Sequence, residues 1–298
     1  MADGHICKTC GVEFPPTSSQ GPPSSCIICS DDRQFVPREG QVWTSMSKMR
    51  LQFRNGFKKH EPQVFEIITF PKFGIGQRAF LIQTQGMYVW SYGRCAFFLM
   101  VFMFLIEGNI LWDCISFLDD ATVEIIKSLG GLRAIAISHP HYYSTNSRWS
   151  EAFGGVPVYI HEWDKKWVVY QHENVKFWEG KTFQLWEGLT LLHLGGHFAG
   201  AQILHWSHGA QGRGVLFTGD ILQVGMDNKT VSIMRSYPNY IPLSSSHAKR
   251  IGQVIEPWDF ERLYGAFQDR EIEENAKSCV VFSLQRYIDW LSLDDAAA

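Results

Sequence analysis

The stretch AISHPHYYSTNSRW, residues 136–149, decides how this chain is read. A strand-like apolar run from Leu132 to Ile137 delivers His139 and His141 on either side of Pro140. On an extended segment, residues two apart project to the same side, so both imidazoles can reach one ion. Pro140 fixes its own φ and restricts the backbone ahead of it, which stiffens the pair. Alone the signal is weak: with 11 histidines in 298 residues, an H-x-H arises by chance about 0.4 times.

Two later stretches repeat the arrangement. LHLGGHFAGAQILHW (192–206) ends a strand with Gly195 and Gly196 and offers His197 at the turn. GVLFTGDI (214–221) runs apolar to Thr218 and then places Gly219 and Asp220 at the strand end. Ligands at strand ends, beside glycine turns, are held rigidly yet left accessible, as a metal centre with an open coordination position requires.

Asp113 in ILWDC, then SHPH, GGH and TGD in that order, resemble the motif series of the metallo-β-lactamase superfamily across residues 62–292. The resemblance implies an α/β chain of α+β type, an αββα sandwich with metal between the sheet edges. It implies that His139, His141 and His197 bind the first metal and that Asp220 stands where a bridge to a second would lie. Asp113 matches the motif that supports the metal loop from outside; a buried structural Asp holding backbone fits it equally. The family usually continues H-x-H-x-D-H, and here the last two positions are Tyr143 and Ser144. A further family histidine follows the late strand near RLYGAF (262–267), yet no histidine occurs after His247. The ligands of the second metal are therefore gone and those of the first remain, which leaves one ion, zinc or iron.

Such a site implies hydrolysis of an ester, thioester or lactone-like bond in a small-molecule substrate, with Asp220 as a catalytic group. Tyr143 or Tyr142 could donate a hydrogen bond to a developing oxyanion, or simply pack. The aromatic loop SYPNYIPL (236–243) offers Tyr237, Asn239 and Tyr240 as substrate contacts, or is a structural turn. The competing expectation is a catalytically weak or inactive sandwich whose N-terminal segment binds a protein or nucleic acid.

That segment, CKTCGVEFPPTSSQGPPSSCIIC (7–29), has the spacing C-x2-C-x15-C-x2-C. Cys7, Cys10, Cys26 and Cys29 read as a four-thiolate zinc ribbon, because each C-x-x-C turn presents two sulfurs to one tetrahedral ion. The intervening residues are too poor in apolar side chains to fold without that cross-link. The domains expected are a ribbon over 1–40, a linker over 41–61 and the sandwich over 62–292. Within the linker, KMRLQFRNGFKKH (48–60) is rich in Lys and Arg and reads as a solvated helix face or a nucleic-acid contact.

The chain carries 45% hydrophobic and 19% charged residues and a net charge of −3. That balance gives material for a full core and no bulk bias toward nucleic acid or an anionic membrane. The first residues lack a secretory pattern, and thiols spaced for metal suit a reducing compartment, cytoplasmic or nuclear. GMYVWSYGRCAFFLMVFMFLI (86–106) departs from the rest, being almost wholly apolar. A membrane-spanning helix there would separate two strands that otherwise close into a hairpin, so it reads as an insertion in the hairpin turn. Strands are expected at 64–70, 79–84, 109–114, 132–137, 156–160, 189–194, 202–206 and 214–220, and helices at 119–129, 161–170, 244–255 and 273–291.

Overall fold

A computed structural model describes residues 3–17, 21–84 and 108–292. The N-terminal ribbon is a three-stranded antiparallel sheet of β1 (His5–Cys7), β2 (Glu13–Phe14) and β3 (Trp43–Thr44), with β1 central. After the single turn α1 (Met46–Met49), the chain enters the first large sheet. Its strands are β4 (Arg54–Glu61), β5 (Val64–Phe70), β6 (Ala79–Ile82), β7 (Ile110–Trp112), β8 (Ala134–Ala136), β9 (Val158–His161) and β10 (Val175–Trp178), hydrogen-bonded in that sequence order. β4 to β7 run antiparallel and β7 to β10 parallel. The second sheet is an antiparallel meander of β11 (Thr182–Trp186), β12 (Leu189–His193), β13 (Gln202–Trp206) and β14 (Val215–Gly219). Two short hairpins follow, β15 (Gln223–Val224) with β16 (Val231–Ser232) and β17 (Met234–Ser236) with β18 (Ile241–Pro242). β19 (Arg262–Gly265) then joins β14 in parallel, and β20 (Glu271–Ile272) closes that edge.

Period-2 alternation explains how the sheets stack. Phe80, Ile82, Ile110, Trp112, Ala134 and Ala136 of the first sheet meet Leu189, Leu191, Leu204, Trp206, Val215 and Phe217 of the second in one buried cluster. Their alternates Leu81, Leu111 and Ile135 turn outward into a second cluster that includes Ile126. The helices α2 (Asp120–Ser128) and α3 (Asn146–Ala152) follow β7 and β8. Beyond the four-residue turn α4 (Gly209–Gly212), α5 (Ser245–Ile255) and α6 (Ala276–Ser292) pack together, and α6 also touches β19. The result is the expected αββα sandwich. β6, β7 and β8 are buried on both faces, as interior strands covered by helices on one side and a sheet on the other should be.

Three expectations need correction. The 41–61 linker is structured: β3 completes the ribbon sheet, and β4 forms the edge of the first large sheet. Arg54, Lys58 and Lys59 lie on that sheet edge, where charge discourages pairing with another chain, while Lys48 sits in α1 and Arg50 caps it. Lys58 pairs with Asp269 at 3.0 Å, and Lys59 lies over the Phe65 ring. Second, residues 161–170 contain a 3₁₀ stretch, Glu162–Trp167, in place of an α-helix. Third, β10 and β11 went unread because their exposed polar residues break the apolar pattern. Residues 86–106 lie outside the described residues, but their flanks pair as expected. Ile82 stands opposite Ile110, and Thr84 Oγ1 donates to Gly108 O at 2.7 Å. Among the described residues no helix is long and apolar enough to cross a membrane.

Candidate metal centre

Four strand ends converge at one edge of the sandwich. Asp113 follows β7, His139 and His141 follow β8, His197 follows β12 and Asp220 follows β14. His139 is extended, whereas His141 sits inside a 3₁₀ turn, Pro140–Tyr142. The two imidazoles therefore meet because Pro140 starts that turn, and not because an extended strand presents them on one side. Gly219 lets the two sheets approach here: its φ is +56°, and a Cβ would lie 2.6 Å from Ser138 Oγ. Gln202, on β13, secures the same edge, giving its Nε2 to Ile137 O at 2.7 Å and its backbone N to Ser138 O at 2.9 Å.

His139, His141, His197 and Asp220 each offer a ligand atom, all within 4.8 Å of one another, and all four residues are at most 5% exposed. His139 Nε2 lies 3.1 Å from Asp220 Oδ1, His141 Nδ1 3.3 Å from His197 Nε2, and His197 Nε2 3.7 Å from Asp220 Oδ1. A tetrahedron with metal–ligand bonds of about 2.0–2.1 Å has edges of about 3.3 Å, so these spacings suit one cation. Burial, reinforced by the neighbouring imidazoles, holds His139 and His141 well below the ordinary histidine pKa, so both present lone pairs. His197 Nδ1 donates to Met234 O at 2.9 Å, which aims its bare Nε2 inward. His139 Nε2 and Asp220 Oδ1 are buried without a hydrogen-bond partner in the protein. Buried acceptors left facing each other ask for a shared cation. The donors fit a metal.

Asp113 does not touch the donors directly. With a φ of +58°, it accepts the Ser138 backbone N–H on Oδ1 at 2.7 Å, and Ser138 Oγ meets His139 Nδ1 at 2.9 Å. It thus orients His139 through one residue. Burial pushes its carboxyl up to about 7.

The positions where a second metal would be held point elsewhere. Tyr143 directs its hydroxyl to Asp164 O at 3.5 Å, away from the donors. Ser144 donates to Cys114 O and receives Gln77 Nε2, at 3.0 and 3.1 Å. Tyr142 is the phenol at the site: its ring is 4.4 Å from His139, and burial leaves the Asp220 carboxyl raised, with His197 and then the nearby Tyr142 hydroxyl only partly opposing it. Tyr237 lies 6.0 Å from the His197 ring and donates to Ser232 O, while Tyr240 is exposed. Asn239 turns the other way, its Nδ2 held by Asp32 O and Gln34 O of the ribbon, both at 3.0 Å.

The ribbon cluster is equally compact. Cys7 Sγ lies 3.6 Å from Cys29 Sγ, and Cys10 Sγ 3.7 Å from Cys26 Sγ, with all four thiols free and buried. Zinc–sulfur bonds of about 2.3 Å give tetrahedral edges of about 3.8 Å, so this donor set fits zinc. The ribbon is seated on the sandwich. Glu13 N donates to Ser144 O, the Glu13 carboxylate holds Arg148, and Ser116 Oγ donates to Gly11 O. Gly11 has φ +83°, and a Cβ there would overlap Ser116 Oγ.

Residues 31–34 bring the ribbon to the metal centre. Asp32 pairs with Arg235, Ser236 Oγ donates to Arg33 O, and the Arg33 guanidinium stacks 4.4 Å from the Phe198 ring. Phe198 in turn packs against His139, His141 and His197. Sequence reasoning missed Arg33, since nothing local marks a residue so far from the histidines. Cys26→Ser is expected to remove one metal ion per chain and to raise hydrogen exchange across residues 5–34, while the ion among the histidines stays. Metal analysis with exchange mass spectrometry checks this, and an unchanged metal count would refute the thiolate site.

Comparison with known proteins places these features. No protein-family model matches the chain. It is 44% identical over 290 residues to the uncharacterized protein YmaE of Bacillus subtilis (strain 168), covering 97% of each chain. Among solved structures it resembles VMB-1, with a TM-score of 0.53 and 14% identity over 80% of this chain and 99% of that one. It resembles the DIM-1 metallo-β-lactamase at TM-score 0.52 and 12% identity, over 77% of this chain and 97% of that one. The FIM-1 metallo-β-lactamase of Pseudomonas aeruginosa, solved in its mono-zinc form, matches at TM-score 0.52 and 11% identity, over 78% and 96%. The chain thus belongs to the family of YmaE, and its sandwich has the metallo-β-lactamase fold behind a four-cysteine ribbon.

Proposed function

We propose that this protein is a mononuclear metal-dependent hydrolase acting on an ester, thioester or lactone-like carbonyl. The observation that carries the reading is the convergence of three imidazoles and one carboxylate at the sheet edge, without any second donor set beside them among the described residues. His139, His141, His197 and Asp220 would hold the ion, zinc or iron. When bound, such a cation polarises a carbonyl oxygen and acidifies water. Asp220 supplies the negative charge that balances it. Tyr142, whose buried hydroxyl makes no regular hydrogen bond and whose pKa burial lifts well above its ordinary value, stays protonated as a donor toward an oxyanion.

One observation favours a second reading. Four protein donors already complete a tetrahedron, and all are buried, as in a structural site. The ion would then stabilise the sandwich, and the ribbon would serve a protein or nucleic-acid partner. A panel of nitrophenyl esters, thioesters and lactones separates the two. The hydrolase should turn over at least one member at a rate well above free zinc or iron, and metal removal should abolish it. No turnover by metal-replete protein would leave the structural reading.

A further inference from the structure

The metal donors leave unexplained a group of polar atoms on the ribbon side of the site. Arg33 keeps only 13% of its side chain exposed, and its Nη1 is tied to Asp31 at 2.6 Å. Its Nε is buried with no partner. The guanidinium lies 4.4 Å from the Phe198 ring and 5.8 Å from that of Trp167. His141 packs against the same Phe198, with ring centroids 4.9 Å apart. His141 Nδ1 is the atom that meets His197, so its Nε2 is left as a second buried nitrogen without a partner. With Nδ1 given to the cation, Nε2 carries the proton. Two unpaired N–H donors, one of them on a fixed positive charge, thus belong to side chains that both touch the Phe198 ring. Leaving a buried donor unmet is unfavourable, more so on a charged group. An oxyanion that meets them is favoured accordingly.

We propose that Arg33, delivered by the ribbon, and His141 Nε2 form an oxyanion subsite that selects substrates carrying a carboxylate or phosphate near the scissile carbonyl. This assignment rests on the hydrolase reading for its consequence in turnover, though not for anion binding itself. It also gives the ribbon a task. Asn239 and Ser236 grip the backbone of residues 32–34, and Asp31 grips the guanidinium, so the cation is preset against Phe198 before any ligand arrives. A preset guanidinium loses less freedom on meeting an oxyanion than a free side chain would.

The test uses the metal-replete full chain and two measurements. Calorimetric titration with glutarate and with inorganic phosphate should show saturable binding of at least one, which identifies the preferred oxyanion. Arg33→Met should weaken that binding at least tenfold while the metal content stays at the wild-type value, and Arg33→Lys should restore part of it. In turnover, the 4-nitrophenyl monoester of glutaric acid should be preferred over 4-nitrophenyl butyrate. Arg33→Met should lower that preference at least tenfold, chiefly through KM. Anion binding without hydrolysis of any ester would uphold the subsite and sink the hydrolase reading. Absent binding of both anions, or equal binding by wild type and Arg33→Met with metal content intact, would overturn the subsite. Loss of metal in Arg33→Met is resolved by Arg33→Gln, which keeps a planar side chain; the same binding criterion then applies to it.

Discussion

His197→Ala is expected to bring bound metal down from two ions, one per donor cluster, to one, and to lower kcat/KM on any substrate of the protein by about a thousandfold or more. His197 is the donor that couples the two halves of the site. It comes from the second sheet, faces His141 at 3.3 Å and Asp220 at 3.7 Å, and is fixed by its own bond to Met234 O. Alanine removes a lone pair and leaves the carbonyl of Met234 without that donor. The three remaining donors keep no fixed third imidazole, so affinity drops steeply, as it does whenever a ligand of a preorganised site is removed. The thiolate ion is an internal control, since its sulfurs share no ligand with the histidines. A count that stays at two in His197→Ala would remove the convergence on which the functional reading stands. Asp220→Ala sharpens the outcome. If Asp220 balances and uses the ion, its loss lowers turnover along with His197→Ala. If it merely closes a structural site, its loss opens a coordination position in an inert wild type, and hydrolysis should appear.

The donors were legible because each sits where an apolar run meets a glycine or proline. His139 follows Ile137, His197 follows Gly195 and Gly196, and Asp220 follows Gly219. Early hairpins and later strand–helix alternation suggest two sheets with helices outside, and the sandwich with its donors at the sheet edges is what the resemblance of the motif series to the metallo-β-lactamase superfamily implies. The replacement of two ligand positions by Tyr143 and Ser144 was also visible, although only the coordinates show that both side chains turn away toward Asp164 and Cys114. What resisted reading was set by tertiary contact. β4, a sheet edge, carries Arg54, Lys58 and Lys59 among mostly polar residues, and composition alone does not distinguish that from a charged helix. The 3₁₀ stretch after β9 buries Asp164 and Trp167 on the side that receives Gly200 and Phe198, a spacing imposed by the metal loop rather than by helix periodicity. Arg33 has no local mark at all, and its importance arises from the docking of the ribbon on residues 235–239.

Arg78→Met should be the most destabilising single substitution away from the metal sites, costing roughly 3–5 kcal/mol, or about 10 °C in Tm. Arg78, just before β6, and Glu66, on β5, both have fully buried side chains, 2.6 Å apart. Arg78 also reaches Glu271 at 3.0 Å and donates to Gly265 O on β19 and to Arg270 O in the turn before β20, so it links the two sheets. Burial alone would raise the Glu66 carboxyl; the hydrogen bond from His60 and the charge of Arg78 outweigh it, and its pKa ends below the ordinary value. A carboxylate lowered on folding contributes stability above its unfolded pKa and loses it as pH falls through the folded one. The wild type should therefore surrender this contribution in acid. In Arg78→Met the opposing cation is gone and burial dominates, so Glu66 rises and its charged form becomes a penalty near neutrality. The difference in stability between the two proteins should accordingly be largest near pH 7 and shrink below the ordinary carboxylate range. Adding Glu66→Gln to Arg78→Met should recover part of the loss at pH 7, because the uncompensated charge leaves with it. Urea unfolding of the three proteins at pH 7 and pH 4 measures all of this. A loss independent of pH, or a double variant no more stable than Arg78→Met, would mean that Arg78 acts by packing and backbone hydrogen bonds and not as the counter-charge of Glu66.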